Sequence, residues 1–579
     1  PVSAHPPSAG DRTRKCVARH KGGVLTSVAF VLAIVAAMTV ALWQANVAQR
    51  EAIRADAQAQ RAISVRDFMV SLFDAAKLKI DKDEQPTPAQ LVAAARERVE
   101  TDTKMPPSTR ADVLATLGEV SMVNGDKQGA LDLMDRAIEI KQKIYDESDR
   151  ELWKTQVQRA NVLQRLERSK ETLKPLNALL KYFRADNSAD SIEGLQMLAS
   201  AQIRNGEIDK AVATSREAAA KASNVADLDP SEVMYLRAYP AMALTVAGRY
   251  AEGAPELEAV LMDWRASGLS KGTEYARIVN NLAAAKFGLG DAMGAEQAFT
   301  EIATIQHTLN PDRGENAIVL RNLAMVRIQL GIYDGAAVAL QEARKLDEAT
   351  FPENSLGRAT AWWSGAMLDY AQGRDDVAEH GVQRAIDLCA EPGGDTDDKC
   401  ASAHLLRALL MLRADRLDEG DAEIAAALEQ RVRVYGDKHA RVAAGYVVQA
   451  DLALARNDPV KTLQLTEQAL AIFREKKADL SQGALLAGIV HVNALLQADR
   501  AGEARSSIEA LIADWDQRMP YPTPQQFDLL ALHAIALAAT GDTASDEARR
   551  ALDLGLPAAS LNPALLKQAI ALADNRRAN

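Results

Sequence analysis

Aromatic side chains make up only 4 % of this 579-residue chain, and cysteine occurs three times. A core built on large rings is excluded; abundant alanine suits close helix-on-helix packing instead. No stretch alternates apolar and polar residues as a half-buried strand does, so the fold class read from the pattern is all-α. The three cysteines form no CxxC and no Cys/His cluster, which removes a zinc site. The eight histidines are scattered without HExxH spacing and read as ordinary helix residues. Basic charge is also short: the net charge is -11. A nucleic-acid surface would want a basic stripe, so no nucleic acid is expected as a partner. The acidity reads as plain solubility. No nucleophile or acid–base constellation appears, and no catalytic residue, metal ligand or cofactor site is expected within the chain.

A repeat is present instead. A turn residue recurs at Gly125, Gly206, Gly248, Gly290, Gly331, Gly373, Asp415, Asn457, Asp499 and Gly541. After Gly206 the steps are 42, 42, 41, 42, 42, 42, 42 and 42 residues. The step from Gly125 to Gly206 is 81, which leaves room for one degenerate unit near Glu167. Seven residues before each turn stands Gly118, Ala199, Ala241, Ala283, Ala324, Ala366, Ala408, Ala450, Val492 or Ala534. Five residues after it stands Ala130, Ala211, Gly253, Ala295, Ala336, Ala378, Gly420, Thr462, Ala504 or Asp546. A fixed period of this length means stacked supersecondary units. Two helices joined by a tight turn must approach closely where they cross, and small residues permit it. The turn types are those that accept a left-handed conformation and end a helix. Gly118, Ala130, Ala199, Ala283, Ala295, Ala324, Ala366 and Ala450 are therefore assigned to repeat packing.

The small-to-small offset of 12 resembles the tetratricopeptide repeat, as in NNLAAAKFGLGDAMGAEQAF and RNLAMVRIQLGIYDGAAVAL. The long period is similar to that of the 42-residue type in kinesin light chain. This resemblance implies a right-handed α-solenoid of ten to eleven helix pairs over residues 108–556. HEAT repeats share the period, but the offsets of seven and five around the turn favour the tetratricopeptide unit. Residues 557–579 would add a C-terminal capping helix opened by Asn562–Pro563.

Upstream, residues 22–44 carry no charge, and their core VLTSVAFVLAIVAAMTVAL is long enough for a transmembrane helix ending at Trp43. No small-x-small cleavage site follows, which argues against a signal peptide. Residues 1–21 form a basic cytoplasmic juxtamembrane linker, with Arg12, Arg14, Lys15, Arg19 and Lys21 against Asp11. The positive-inside rule then places the N-terminus in the cytoplasm and the repeats outside it, in the periplasm of a Gram-negative cell. Residues 45–107 read as a helical stalk and connector, broken at Pro86 and Pro88.

The order of basic RKCVARHK, one span ending in LWQA, VRDFMVSLFDAA and then repeats is similar to the C-terminal half of bacterial membrane-anchored serine/threonine protein kinases. That resemblance implies a sensor for a kinase domain preceding Pro1, with ATP and Mg belonging to that domain alone. The chain itself has no Gly-rich phosphate loop, no VAIK-type lysine, no HRD and no DFG, so it cannot perform phosphoryl transfer. A winged-helix regulator with the same membrane and repeat module is the alternative parent. A stand-alone membrane-tethered interaction scaffold is the alternative function.

In such repeats the first helix lines the concave face. The third and second positions before the small residue are Asn280 and Asn281, then Arg321 and Asn322, then Trp363 and Ser364. Asparagine amides can pair with both N–H and C=O of an extended peptide. Kinesin-light-chain-like repeats use asparagine at the second position against cargo backbone, which the resemblance carries to Asn281 and Asn322. The competing reading pairs these asparagines with neighbouring helices. Asn280, Asn281, Arg321, Asn322 and Trp363 thus outline a candidate groove for a peptide or protein, and a homodimer is left open. Cys389 and Cys400 flank ten residues rich in turn formers, where two antiparallel helices would bring them within disulfide range.

Overall fold

The computed structural model describes residues 88–574 apart from short interhelical stretches, with a few positions between residues 30 and 49. Every regular element among the described residues is helical. Two compact units emerge, residues 1–168 and 169–579. The boundary falls beside Glu167, where the repeat is degenerate. Glu167 itself, residues 1–21 and, of the stalk and connector expected over 45–107, nearly all of residues 45–87 lie outside the described residues.

The first unit holds α1 (Pro88–Thr101), α2 (Pro107–Val123), α3 (Lys127–Ile144) and α4 (Arg150–Arg165). The second begins with α5 (Lys170–Ala185), α6 (Ala189–Arg204), α7 (Ile208–Ala222), α8 (Pro230–Val246), α9 (Tyr250–Ala266), α10 (Thr273–Gly288) and α11 (Ala292–Leu309). It continues with α12 (Asn316–Gln329), α13 (Tyr333–Thr350), α14 (Ala359–Ala371), α15 (Asp375–Leu388), α16 (Asp398–Arg413) and α17 (Leu417–Tyr435). It ends with α18 (Ala440–Ala455), α19 (Pro459–Glu475), α20 (Gln482–Gln497), α21 (Ala501–Trp515), α22 (Pro524–Ala539), α23 (Ser545–Leu552) and α24 (Pro563–Asp574).

Each pair closes in the same way. All ten turn residues have positive φ, from 56° at Asp499 to 87° at Gly125. At Gly290 the turn amide donates to Phe287 O at 3.1 Å, and the next amide, of Asp291, donates to Lys286 O at 2.9 Å. The same two bonds recur at every turn from Met122/Ser121 to Ala538/Leu537. This double bond satisfies the last carbonyls of the first helix and reverses the chain.

The small residues meet at the crossings. A Cβ added to Gly253 would stand 2.8 Å from Ala241 O, and one added to Gly118 would stand 3.2 Å from Ala130 O. Ala199, Ala283, Ala324, Ala450 and their partners Ala211, Ala295 and Ala336 are fully buried. Asp546 departs from the pattern: it is exposed, because α23 starts late and Ala548 takes the buried place. The closing α24 is capped by Asn562, whose Oδ1 accepts from Ala564 N at 3.0 Å. It is also tied to α23 by Arg549, whose Nη2 donates to Ala573 O at 3.1 Å.

Curvature follows from which helices touch. Within the second unit, first helices of neighbouring pairs pack on one another (α8 on α10, α18 on α20), while second helices meet far less. First helices therefore form the inner face. The winding brings distant pairs together. Gly248 lies against His439, Gly290 against Leu480, Gly331 against Pro522 and Gly373 against Ala559. At Gly290 the fit is so close that an added Cβ would stand 1.6 Å from Leu480 O. The turn at 290 must be glycine twice over, for its φ of 84° and for this contact.

Cys389 caps α15 and Cys400 lies in the first turn of α16, and the structure joins them by a disulfide with a Cα–Cα distance of 5.8 Å.

The expected membrane placement is corrected. Most of residues 22–44 lie outside the described residues. Among the described residues no helix is long and apolar enough to cross a membrane. The single-pass inner-membrane localisation, with a cytoplasmic N-terminus and periplasmic repeats, is withdrawn on that finding. The physical reason is length and use: apolar helices such as α20 and α22 have 16 residues each, short of the roughly 20 that a crossing needs, and their apolar sides are buried against neighbouring helices.

Two outcomes follow. Gly206 has φ of 77° with nothing within 4 Å of its added Cβ. Gly206→Ala should cost only the left-handed penalty of about 1–2 kcal/mol. Gly290→Ala should cost at least twice as much in urea denaturation, because backbone must move. Alkylation without reductant, read by mass spectrometry, should leave Cys389 and Cys400 unlabelled, and reduction should expose both.

Candidate binding groove

The inner face of the second unit is built from one register. The residue three before each buried small residue and the residue one after it share one stripe of the first helix. In α10, α12 and α14 the first of these positions holds Asn280, Arg321 and Trp363.

These residues divide into two groups. Asn281 is engaged at both ends of its amide. Its Nδ2 donates to Arg277 O at 2.8 Å, and its Oδ1 accepts from Thr245 Oγ1 of α8 at 3.3 Å. Arg321 is also committed: it is buried and pairs with Asp347 of α13 at 2.5 Å. A buried ion pair of this kind costs several kcal/mol to break from one side, which marks it as packing. Asn280 and Trp363 differ. Each is half-buried, and Asn280 Oδ1 and Trp363 Nε1 are buried atoms without a hydrogen-bond partner. An unpaired buried polar atom costs about 1–3 kcal/mol unless something supplies the bond. Neighbouring Trp362 is held by Arg344, 5.6 Å over its ring, and edge-on by His380. Asn322 is half-buried on the same helix as Arg321.

A second cluster lies further along the same face and was not foreseen. Arg413, in the last turn of α16, lies with its Cζ 3.6 Å over the Tyr370 ring of α14. Its Nη1 donates to Tyr370 O at 3.0 Å and to Asp375 Oδ1 at 2.7 Å. The carboxylates of Asp451 on α18 and Asp528 on α22 act on the same tyrosine. Burial pushes Asp451 up to about 6. Burial, with the charge of Asp451 added, pushes Asp528 up to about 8. Tyr370 is pushed up to about 12, chiefly by burial. Comparison of register positions could have found this cluster. One residue after the small residue, the chain reads Met242, Ala284, Met325, Met367 and Leu409, and then Asp451.

The fold defines the class: an all-helical solenoid of tetratricopeptide-like pairs. No protein-family model matches the chain, and no curated protein matches it. Solved structures do. A putative kinesin light chain from Podosopora anserina with nearly identical TPR-like repeats is 19 % identical, covering 35 % of this chain and 98 % of that one, with a TM-score of 0.32. A Rap protein complexed with competence and sporulation factor is 13 % identical over 60 % of this chain and 94 % of that one, with a TM-score of 0.43. Yeast Tom70 is 15 % identical over 88 % and 97 %, with a TM-score of 0.32.

Asp528 generates a pH prediction. Its folded-state affinity for a proton exceeds the ordinary carboxylate value, so the folded state binds more protons than the unfolded one between about pH 4 and 8. Stability falls as pH rises through that window. Asp528→Asn carries no charge to desolvate. Its melting temperature should match the parent at pH 4 and exceed it by a growing margin toward pH 8.

Proposed function

We propose that the chain is a protein-interaction scaffold whose second unit holds an extended segment of a partner protein against the inner face of its first helices. The observation that carries this reading is the pair of unpartnered buried atoms, Asn280 Oδ1 and Trp363 Nε1, at the same register position of α10 and α14. One accepts and one donates, the two functions that a peptide backbone complements. The indole also offers a large apolar surface of the kind that anchors interfaces. Asn281, bonded to its own helix and to Thr245, is not assigned to the contact.

A sensing role within a serine/threonine kinase rests on the resemblance in segment order from RKCVARHK to the repeats, whose most specific piece, residues 65–73, lies outside the described residues. The groove does not depend on it.

The test begins with peptides selected from a random display library against the full chain. Trp363→Ala and Asn280→Ala should each weaken a selected peptide by about tenfold in fluorescence anisotropy, a loss of about 1.4 kcal/mol. Val377→Ala, at an exposed position on the second helix α15, should leave binding unchanged. Equal affinity for all variants would remove the groove as the site.

A further inference from the structure

The cluster of Asp451 and Asp528 buries two carboxyl groups that the packing of the solenoid does not need. The two residues come from first helices two pairs apart, and their carboxyls lie near enough for one to act on the other. Both are desolvated. Asp528 Oδ1 is a buried atom with no hydrogen-bond partner. Among the described residues the cation acting on Asp528 is Arg413. That guanidinium is already spoken for, by the Tyr370 ring and carbonyl and by the Asp375 carboxylate. The cation acting on Asp528 is thus already committed elsewhere.

A buried carboxylate persists where it is paired or neutral, and a half-satisfied polar network is worse than an apolar one. A guest that brings its own cationic donors resolves the imbalance. The surroundings select the kind of cation. At the register position that Asp451 occupies, the adjacent first helices hold Leu409 on α16 and Asn493 on α20, with Met325, Met367 and Ile535 further along. Such a face covers methylene groups and leaves a charged head for the carboxylates, as long basic side chains require.

We propose that Asp451 and Asp528, with Tyr370 and Arg413 at their border, form a subsite on the inner face that receives a lysine or arginine side chain of the bound partner. This rests on the reading of the inner face as a peptide site and adds the charge of the residue it selects. The ammonium or guanidinium displaces to solvent the proton that burial keeps on Asp528, donates to Asp528 Oδ1 and to Asp451, and leaves Arg413 on Tyr370.

The experiment has two arms. In the first, N-acetyl-lysine methylamide, N-acetyl-arginine methylamide and N-acetyl-norleucine methylamide are titrated against the full chain by NMR. At least one basic amide should bind tenfold or more tighter than the norleucine amide, and the Asp451→Asn/Asp528→Asn double variant should lose that preference. Equal binding of the three amides, or a preference that survives in the variant, overturns the subsite. The second arm uses the display-selected peptide. Its weakening by Trp363→Ala but not by the double variant would overturn the subsite and leave the peptide reading standing. A selected peptide indifferent to Trp363→Ala and Asn280→Ala, combined with a basic preference in the first arm, would retain the subsite and remove the peptide reading. Melting curves establish that the variants fold. Asp451→Asn alone replaces the double variant should the latter unfold, and loss of the preference is again the expected result.

Discussion

Everything in this molecule depends on how closely two helices can cross. A small residue seven positions before the turn and another five after it let backbone approach backbone, as the short distances around Gly118 and Gly253 show. Helices with larger side chains at these places would stand further apart, and the ridges of one would leave the grooves of the other. The tight crossing then fixes the turn. Little chain is available to reverse direction, and one residue must enter the left-handed region to satisfy two carbonyls at once. Glycine does this freely; Asp415, Asn457 and Asp499 do it because short polar side chains tolerate it.

The same crossings set the curvature. First helices touch their neighbours, second helices spread, and the stack bends toward the first helices. Bending brings the stripes that several first helices share closer together on one face. That is why residues as distant in sequence as Tyr370 and Asp528 act on each other, and why a single substitution of charge for methionine or leucine at Asp451 has consequences four helices away. Surface ion pairs such as Arg249–Asp209 and Arg416–Glu379 link successive second helices along the outside, but exposed pairs of this type contribute little to stability.

The architecture was legible because it is periodic. Ten turn residues and their flanking small residues announce helix pairs before any coordinate is known, and Cys389 and Cys400 fall at facing helix ends for the same reason. The site was legible only in part. Asn281 and Asn280 are adjacent and chemically identical, yet one is consumed by Arg277 and Thr245 while the other is left open. That difference lies in rotation about the helix axis, which a count of positions does not resolve. Arg321 was read as groove and proved to be packing, because its partner Asp347 is 26 residues further on, in the next helix. The carboxylate cluster was missed because it exists only after winding brings distant pairs face to face. The apolar stretch at residues 22–44 shows the reverse case, in which length and composition were read as a membrane crossing that no described helix makes.

The contacts between distant turns also limit how such a chain can grow or shrink. Gly290, Gly331 and Gly373 each meet a loop close to 190 residues downstream. That interval is about four and a half repeats, so the partner of a turn is never another turn but the opposite end of a pair. Duplicating or deleting one repeat between positions 290 and 480 would slide every downstream loop by a whole unit relative to these glycines. Leu480 O would no longer be the atom opposite Gly290, and the later units would have to present an equivalent loop at each place. Gly206 and Gly541, with nothing within 4 Å of an added Cβ, are free of this demand. The array therefore behaves as two kinds of repeat under one period: overhung units, in which copy number is locked by the neighbour above, and uncovered units, which can be exchanged singly.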